Sequence, residues 1–313
     1  MQINRILVPV DFSPPSTLAV NCGIALARKL KAKISLLHVV ESPRALLYTF
    51  PKEAEKVEAQ RKEQADKMLP VLVAPEDQDD LDVHFIVRTG EVEEVVESVL
   101  AEEHADAVVM GTHGRGLFGR LFIGSTTQAL LRKLGVPVLT VCQVNRPLEF
   151  HRILFASDLA FDSERGFEFA LEMARTTGAS LVVAHVRNEP PLTYETPEVA
   201  MMLEEERKRT RKLTHDKFEG FRASGNAAKV PIECVLRKGE ASENIIQMAD
   251  ANEADLIILG LRKRGAVDRA VFGSTAEPVI RGARVPVLSV PIDAALAPKQ
   301  HRDRIGNTLM EVI

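Results

Sequence analysis

The sequence predicts a doubly wound α/β fold, built twice in one chain. Short, β-branched apolar runs alternate with longer amphipathic stretches, and the whole series recurs once in the same order. The runs are nearly continuous in hydrophobicity, which suits strands buried on both faces of a parallel sheet. An alternating order of strand and helix then gives right-handed crossovers around that sheet.

In the first copy the predicted strands are RILVPV (5–10), KISLLHV (33–39), VHFIVR (83–88), DAVVMG (106–111) and VPVLTV (136–141). Helical spacing is expected over 16–30, 52–72, 91–104 and 125–134. The stretch KEAEKVEAQRKEQADKML (52–69) is dense in charge, and a solvated helix face accounts for it. His38 and His185 stand within apolar strand patterns and read as satisfied core histidines. Ligands of such folds bind beyond the carboxyl ends of the strands, where Asp11, Val39 and Gly111 fall.

The duplication is read from landmarks in constant order. RILVPVD (5–11) returns as RILFASD (152–158) and LLHV (36–39) as VAHV (183–186), each 147 residues on. RTGE (88–91) returns as RKGE (237–240), DAVVMG as DLIILG (255–260), and VPVLTV as VPVLSV (285–290), each 149 residues on. A period this long is a whole domain, not a solenoid unit. The predicted organisation is a first domain over 1–145, a second over 150–293 and a polar tail over 294–313.

Composition excludes several classes. A hydrophobic share of 45% with 27% charged residues is that of a soluble globular protein. The net charge of −4 lacks the basic excess of a general nucleic-acid binder. No apolar run approaches the roughly 18 residues of a membrane span, and the N-terminus lacks a signal-peptide pattern. Cys22, Cys142 and Cys234 are scattered singly, without metal-ligand spacing. These features predict a cytoplasmic protein with reduced thiols.

The most unusual stretch is GTHGRGLFGRLFIGST (111–126), with five glycines among arginines. It lies between a buried strand and the helix pattern STTQALLRKLG, which runs from N-cap residue types to Gly135, suited to a left-handed C-terminal position. The N–H groups and dipole of such a helix start favour an anion by about 0.3–1 kcal/mol, and up to about 2 when partly buried. Gly114 and Gly124 leave room for backbone amides to approach phosphate, and Arg115 and Arg120 add positive charge. The glycines alone fit a tight surface turn equally well, with Ser125 merely capping its helix. His113 reads as exposed and without a task.

Gly111, Gly114 and Gly124-Ser125 stand at the G-x2-G-x9-G-S/T spacing of ATP-binding universal stress proteins, and the chain resembles that family. VPVDFS, LLHV and VPVLTV resemble it too, and the resemblance spans both copies. It implies two tandem Rossmann-like domains of the adenine nucleotide alpha-hydrolase-like type, each with a five-stranded parallel sheet. It puts adenine near Asp11 and the backbone of Val39, beside Pro9 and Val10, with Met110 and Gly111 by the ribose. Gly114, Arg115, Gly124, Ser125 and Thr126 would hold the phosphates, with Mg²⁺ or Mn²⁺ as counterion. Read from the residues, Asp11 is either a ligand acceptor or an aspartate at a helix start, and its recurrence as Asp158 favours the ligand role.

The second copy reads GLRKRGAVDRAVFGST (260–275). It keeps Gly260, Gly273, Ser274 and Thr275, with Asp158 and Val186 at the adenine positions. Lys263 replaces the counterpart of Gly114, so the second site is expected to bind at least tenfold more weakly. ADP and AMP are alternatives to ATP, and the second pocket alone is open to another anionic ligand. In the first copy no obvious metal-binding carboxylate and no base for water accompany the loop at 111–126, and no catalytic residue is assigned. The expected role is nucleotide-dependent regulation in a stress response, with at most slow hydrolysis. The alternative is an interaction scaffold that has lost nucleotide binding in one or both halves. The last strands, 136–141 and 285–290, are expected to dock into an intramolecular pseudo-dimer. A further homodimer and an unidentified protein partner stay open.

Overall fold

The structure, a computed structural model, describes residues 3–42, 50–112, 123–141, 148–160, 163–187, 196–261 and 274–292. The first half contains β1 (Arg5–Val10), α1 (Pro14–Leu30), β2 (Lys33–Val40), α2 (Pro51–Met68), α3 (Pro75–Asp80), β3 (Val83–Thr89), α4 (Val92–Glu102), β4 (Ala107–Gly111), α5 (Ser125–Lys133) and β5 (Val138–Val141). The second contains β6 (Arg152–Ala156), α6 (Ser163–Thr177), β7 (Ser180–Arg187), α7 (Pro197–Ala228), β8 (Ile232–Lys238), α8 (Ala241–Ala251), β9 (Leu256–Leu261), α9 (Ala276–Gly282) and β10 (Val287–Pro291).

The strands form a single ten-stranded sheet in the order β3-β2-β1-β4-β5-β10-β9-β6-β7-β8. Every neighbour is parallel except the central pair. Ile6, Leu7 and Val8 have no solvent exposure at all, so successive side chains on both faces of β1 are covered. Helices α1, α2, α6 and α7 build the core on one face. Helices α4, α5, α8 and α9 build the core on the other. Among the described residues no helix is long and apolar enough to cross a membrane.

At the centre β5 and β10 run antiparallel, pairing Val287 with Thr140, Leu288 with Leu139 and Ser289 with Val138. Leu139 and Leu288 are each other's counterparts in the duplication, so a pseudo-twofold axis passes through their pair. The Thr140 hydroxyl donates to the Val287 carbonyl at 3.0 Å. Each half thereby covers the apolar edge of the other.

Some landmarks recur for local reasons. Asp106 accepts from the backbone N–H groups of Asn4 (2.7 Å) and Arg5 (3.1 Å), which fixes the start of β1. Its counterpart Asp255 does the same for His151 (2.6 Å) and Arg152 (3.4 Å) at β6. Three sequence expectations need correction. The helix expected over 52–72 stops at Met68, because Pro70 cannot continue it; a 3₁₀ turn (Pro70–Leu72) and the unforeseen α3 follow. Gly135 is not left-handed, since α5 ends through Leu134 in an extended conformation. β5 begins at Val138 rather than Val136, and Pro137, lacking an N–H, contributes only its carbonyl, to Val108.

Candidate functional site

In the first half the strand order reverses between β1 and β4, and their carboxyl ends open a crevice there. A cavity of about 1190 Å³ lies at this edge. Pro9, Val10 and Asp11 reach it from the end of β1, Val39 from β2, Met110 and Gly111 from β4, and Gly124, Ser125 and Thr126 from the start of α5. Gly114 and Arg115 lie outside the described residues, as do His113, Arg120 and, in the second half, Lys263 and Gly273.

The floor is made by a turn that the duplication repeats. Asp11 Oδ1 accepts from the Ser13 N–H at 3.0 Å, and between them Phe12 takes a left-handed φ of 61°. The helix-start role considered for Asp11 belongs instead to Ser13, whose hydroxyl accepts from the Ser16 N–H. His38 donates its Nδ1–H to the Val10 carbonyl at 2.7 Å, and its ring lies 4.6 Å from that of Phe12. This histidine is satisfied, yet only half-buried, and it lines the cavity. In the second half Asp158 accepts from the Ala160 N–H at 3.0 Å, Leu159 has φ 59°, and His185 donates to Ser157 at 2.8 Å. The recurrence of the aspartate therefore has a local cause as well: both copies fold the same turn.

Gly111 has a role that the sequence did not display. A Cβ there would lie 2.8 Å from the Pro15 carbonyl carbon. Only a glycine lets the first turn of α1 sit against the end of β4, and that contact shapes one wall of the cavity.

The start of α5 supplies the polar wall. Gly124, not Ser125, occupies the N-cap, in an extended conformation (φ −56°, ψ 144°), and no side chain caps the helix. The Gly124 N–H donates to the Thr112 carbonyl at 2.7 Å, and the Thr127 hydroxyl donates to the Gly111 carbonyl at 3.0 Å. The first intrahelical bond is made by Gln128 to Gly124. The N–H groups of Ser125, Thr126 and Thr127 thus have no acceptor among the described residues, and all three residues line the cavity. Three orphan donors at a helix start are suited to an anion.

Helix α2 closes the far side. Arg61, Gln64, Ala65 and Met68 line the cavity at helical spacing. The charged stretch read from sequence as a solvated face therefore has one edge turned to the site. A stripe at i, i+3, i+4 and i+7 was the available signal, masked by the charges around it. Phe12, Glu41 and Ile123 are further lining residues that sequence reasoning did not assign.

The second half is arranged differently at the matching place. Helix α9 begins at Ala276, the counterpart of Thr127, so Ser274 and Thr275 precede the helix instead of opening it. Thr275 has φ −99° and ψ −43°, unlike the extended Gly124. Asp158 is exposed and Val186 half-buried. Gly260 ends the apolar run of β9 beside Ile292, to which a Cβ would come within 3.1 Å.

Comparison with known proteins places this architecture. The model of the universal stress protein family matches the chain twice, over residues 2–141 and 149–291. A universal stress protein of Mycolicibacterium smegmatis is 27% identical over 297 residues, covering 91% of this chain and 96% of its own. One of Thermus aquaticus is 32% identical over 142 residues, 45% of this chain and 98% of its own. The crystal structure of a universal stress protein from Archaeoglobus fulgidus superposes with a TM-score of 0.68 at 22% identity, covering 93% of this chain and 97% of that one. The twice-matched family model, the relatives and the duplicated sheet agree: the chain belongs to the universal stress protein family.

Proposed function

We propose that the first half, residues 1–145, is an adenine-nucleotide-binding domain and that the chain acts as a nucleotide-dependent regulator, with ATP as the first candidate ligand. The observation that carries this reading is the joining, in one cavity, of three orphan helix N–H groups with the carboxyl ends of β1, β2 and β4. Phosphate oxygens would occupy the start of α5, where the helix dipole and N–H groups favour negative charge. The ribose and base would extend over Met110 and Asp11 toward Val39. Among the described residues no three His, Cys, Asp or Glu side chains converge on a metal position. A Mg²⁺ or Mn²⁺ ion would be held mainly by phosphate oxygens and water.

Residues 150–293 serve in this reading chiefly as the pseudo-dimer partner. The late start of α9 supports weaker nucleotide binding there than in the first half. The test is acid extraction of the purified chain with chromatography for adenine nucleotides, followed by calorimetric titration of the stripped protein with MgATP. Released adenine nucleotide or one dominant ATP site is the expected result. A chain that releases no adenine nucleotide and also binds no MgATP refutes the proposal.

A further inference from the structure

We infer that Gln64 on α2 is a base-discriminating residue, selecting adenine over guanine; this rests on the nucleotide reading of the cavity. Distance across the sheet sets where a base can lie. The start of α5 receives the phosphates beside the end of β4, and β2 lies two strands away, beyond β1. Neighbouring strands are about 4.8 Å apart, so the end of β2 is about 10 Å from the end of β4. A nucleoside laid from the phosphate end therefore brings its base to β2 and to the helix beyond it.

That helix is α2, and it is held over the end of β2. The Ser42 hydroxyl donates to Glu58 at 2.9 Å, and Arg61 Nη1 lies 3.5 Å from the Glu41 carbonyl. Gln64 follows one turn after Arg61 and lines the cavity. Its amide has no hydrogen-bond partner among the described residues. Met68, on the same stripe, offers an apolar surface to a flat ring.

The chemistry of the amide then selects the base. A primary amide presents one acceptor and two donors side by side. Adenine presents the complementary N6 donor and N7 acceptor on one edge, whereas guanine presents two acceptors there. Guanine would leave the Gln64 carbonyl facing an acceptor. The second half lacks this reader: the 147- and 149-residue offsets on either side of this helix put Arg211 or Leu213 opposite Gln64, and neither is an amide.

The experiment is calorimetry of the full chain with MgATP and with MgGTP, for the wild type, Gln64→Leu and Gln64→Glu. Thermal melts of each variant report folding, which an exposed helix position should leave unchanged. The wild type is expected to prefer ATP, and Gln64→Leu to lower the ATP-to-GTP affinity ratio about tenfold or more. Gln64→Glu, which loses the donor to N7, should lower it too. A wild type that binds ATP while both variants keep its ratio, even with both affinities reduced equally, overturns the inference and leaves the site reading standing. A wild type that binds no ATP overturns both.

Discussion

Replacing Gly124 with valine separates space for a ligand from the needs of the fold. At φ −56° and ψ 144° the position is open to any L-residue, so the backbone itself does not require glycine. The bond from the Gly124 N–H to the Thr112 carbonyl, 2.7 Å long, involves no side chain and should persist. Removing a glycine from the unfolded chain stabilises compatible sites by about 0.4–1 kcal/mol, while valine is a poorer N-cap residue than glycine; the two effects oppose, so the variant should stay folded with a stability within about 1 kcal/mol of the wild type. In the proposed pose, however, phosphate approaches the N–H groups of Ser125, Thr126 and Thr127 past this residue. A hydrogen bond to a charged group contributes about 1.5–3 kcal/mol. Losing one such bond to a branched side chain should weaken MgATP binding by about tenfold to about a hundredfold. Calorimetry beside urea unfolding reads both quantities. A folded Gly124→Val chain with unchanged ATP affinity would refute the placement of phosphate at α5.

Three further outcomes are expected. Gly111→Ala forces a Cβ against the Pro15 backbone at 2.8 Å and should cost about 1–3 kcal/mol of stability; an unfolding free energy equal to the wild type would contradict the contact. Val287→Lys places an ammonium at a position 1% exposed in the central seam. It should lower the denaturation midpoint and produce misassembled species on size exclusion, whereas an equally stable, monodisperse variant would count against the seam. Burial holds the His185 pKa below its ordinary value of about 6.5, overriding the bond to Ser157. In the unfolded chain this group binds its proton first, so its contribution is complete above about pH 6.5 and declines as pH falls below it. Melting temperatures between pH 7.5 and 5 should fall more steeply for the wild type than for His185→Gln, and parallel curves would reject the assignment.

Much of the fold was legible because its causes are local or repeated. The apolar runs that became β1 to β5 carry their burial on their face, since a strand covered on both sides needs apolar residues at every position. The duplication was legible because both copies solve the same problems with the same residues. Asp106 and Asp255 fix strand starts, and His38 and His185 hold the carbonyl at the end of β1 and β6. The candidate site was legible in part. The strand ends and the glycine-rich helix start announce themselves through composition, whereas the α2 wall does not, because a charged helix looks solvated until its neighbours are known.

By itself, then, the sequence determined the two copies, the parallel strands, the family resemblance and the residues at the strand ends. Each of these depends on periodicity or on a fixed motif along the chain. Packing in three dimensions settled that Gly124 rather than Ser125 takes the N-cap, that Gly111 is needed for Pro15, and that Gln64 lines the cavity. It alone set the seam register about Leu139 and Leu288. Those outcomes depend on the approach of segments distant in sequence, and close packing makes that approach a property of the assembled sheet and helices rather than of any one stretch.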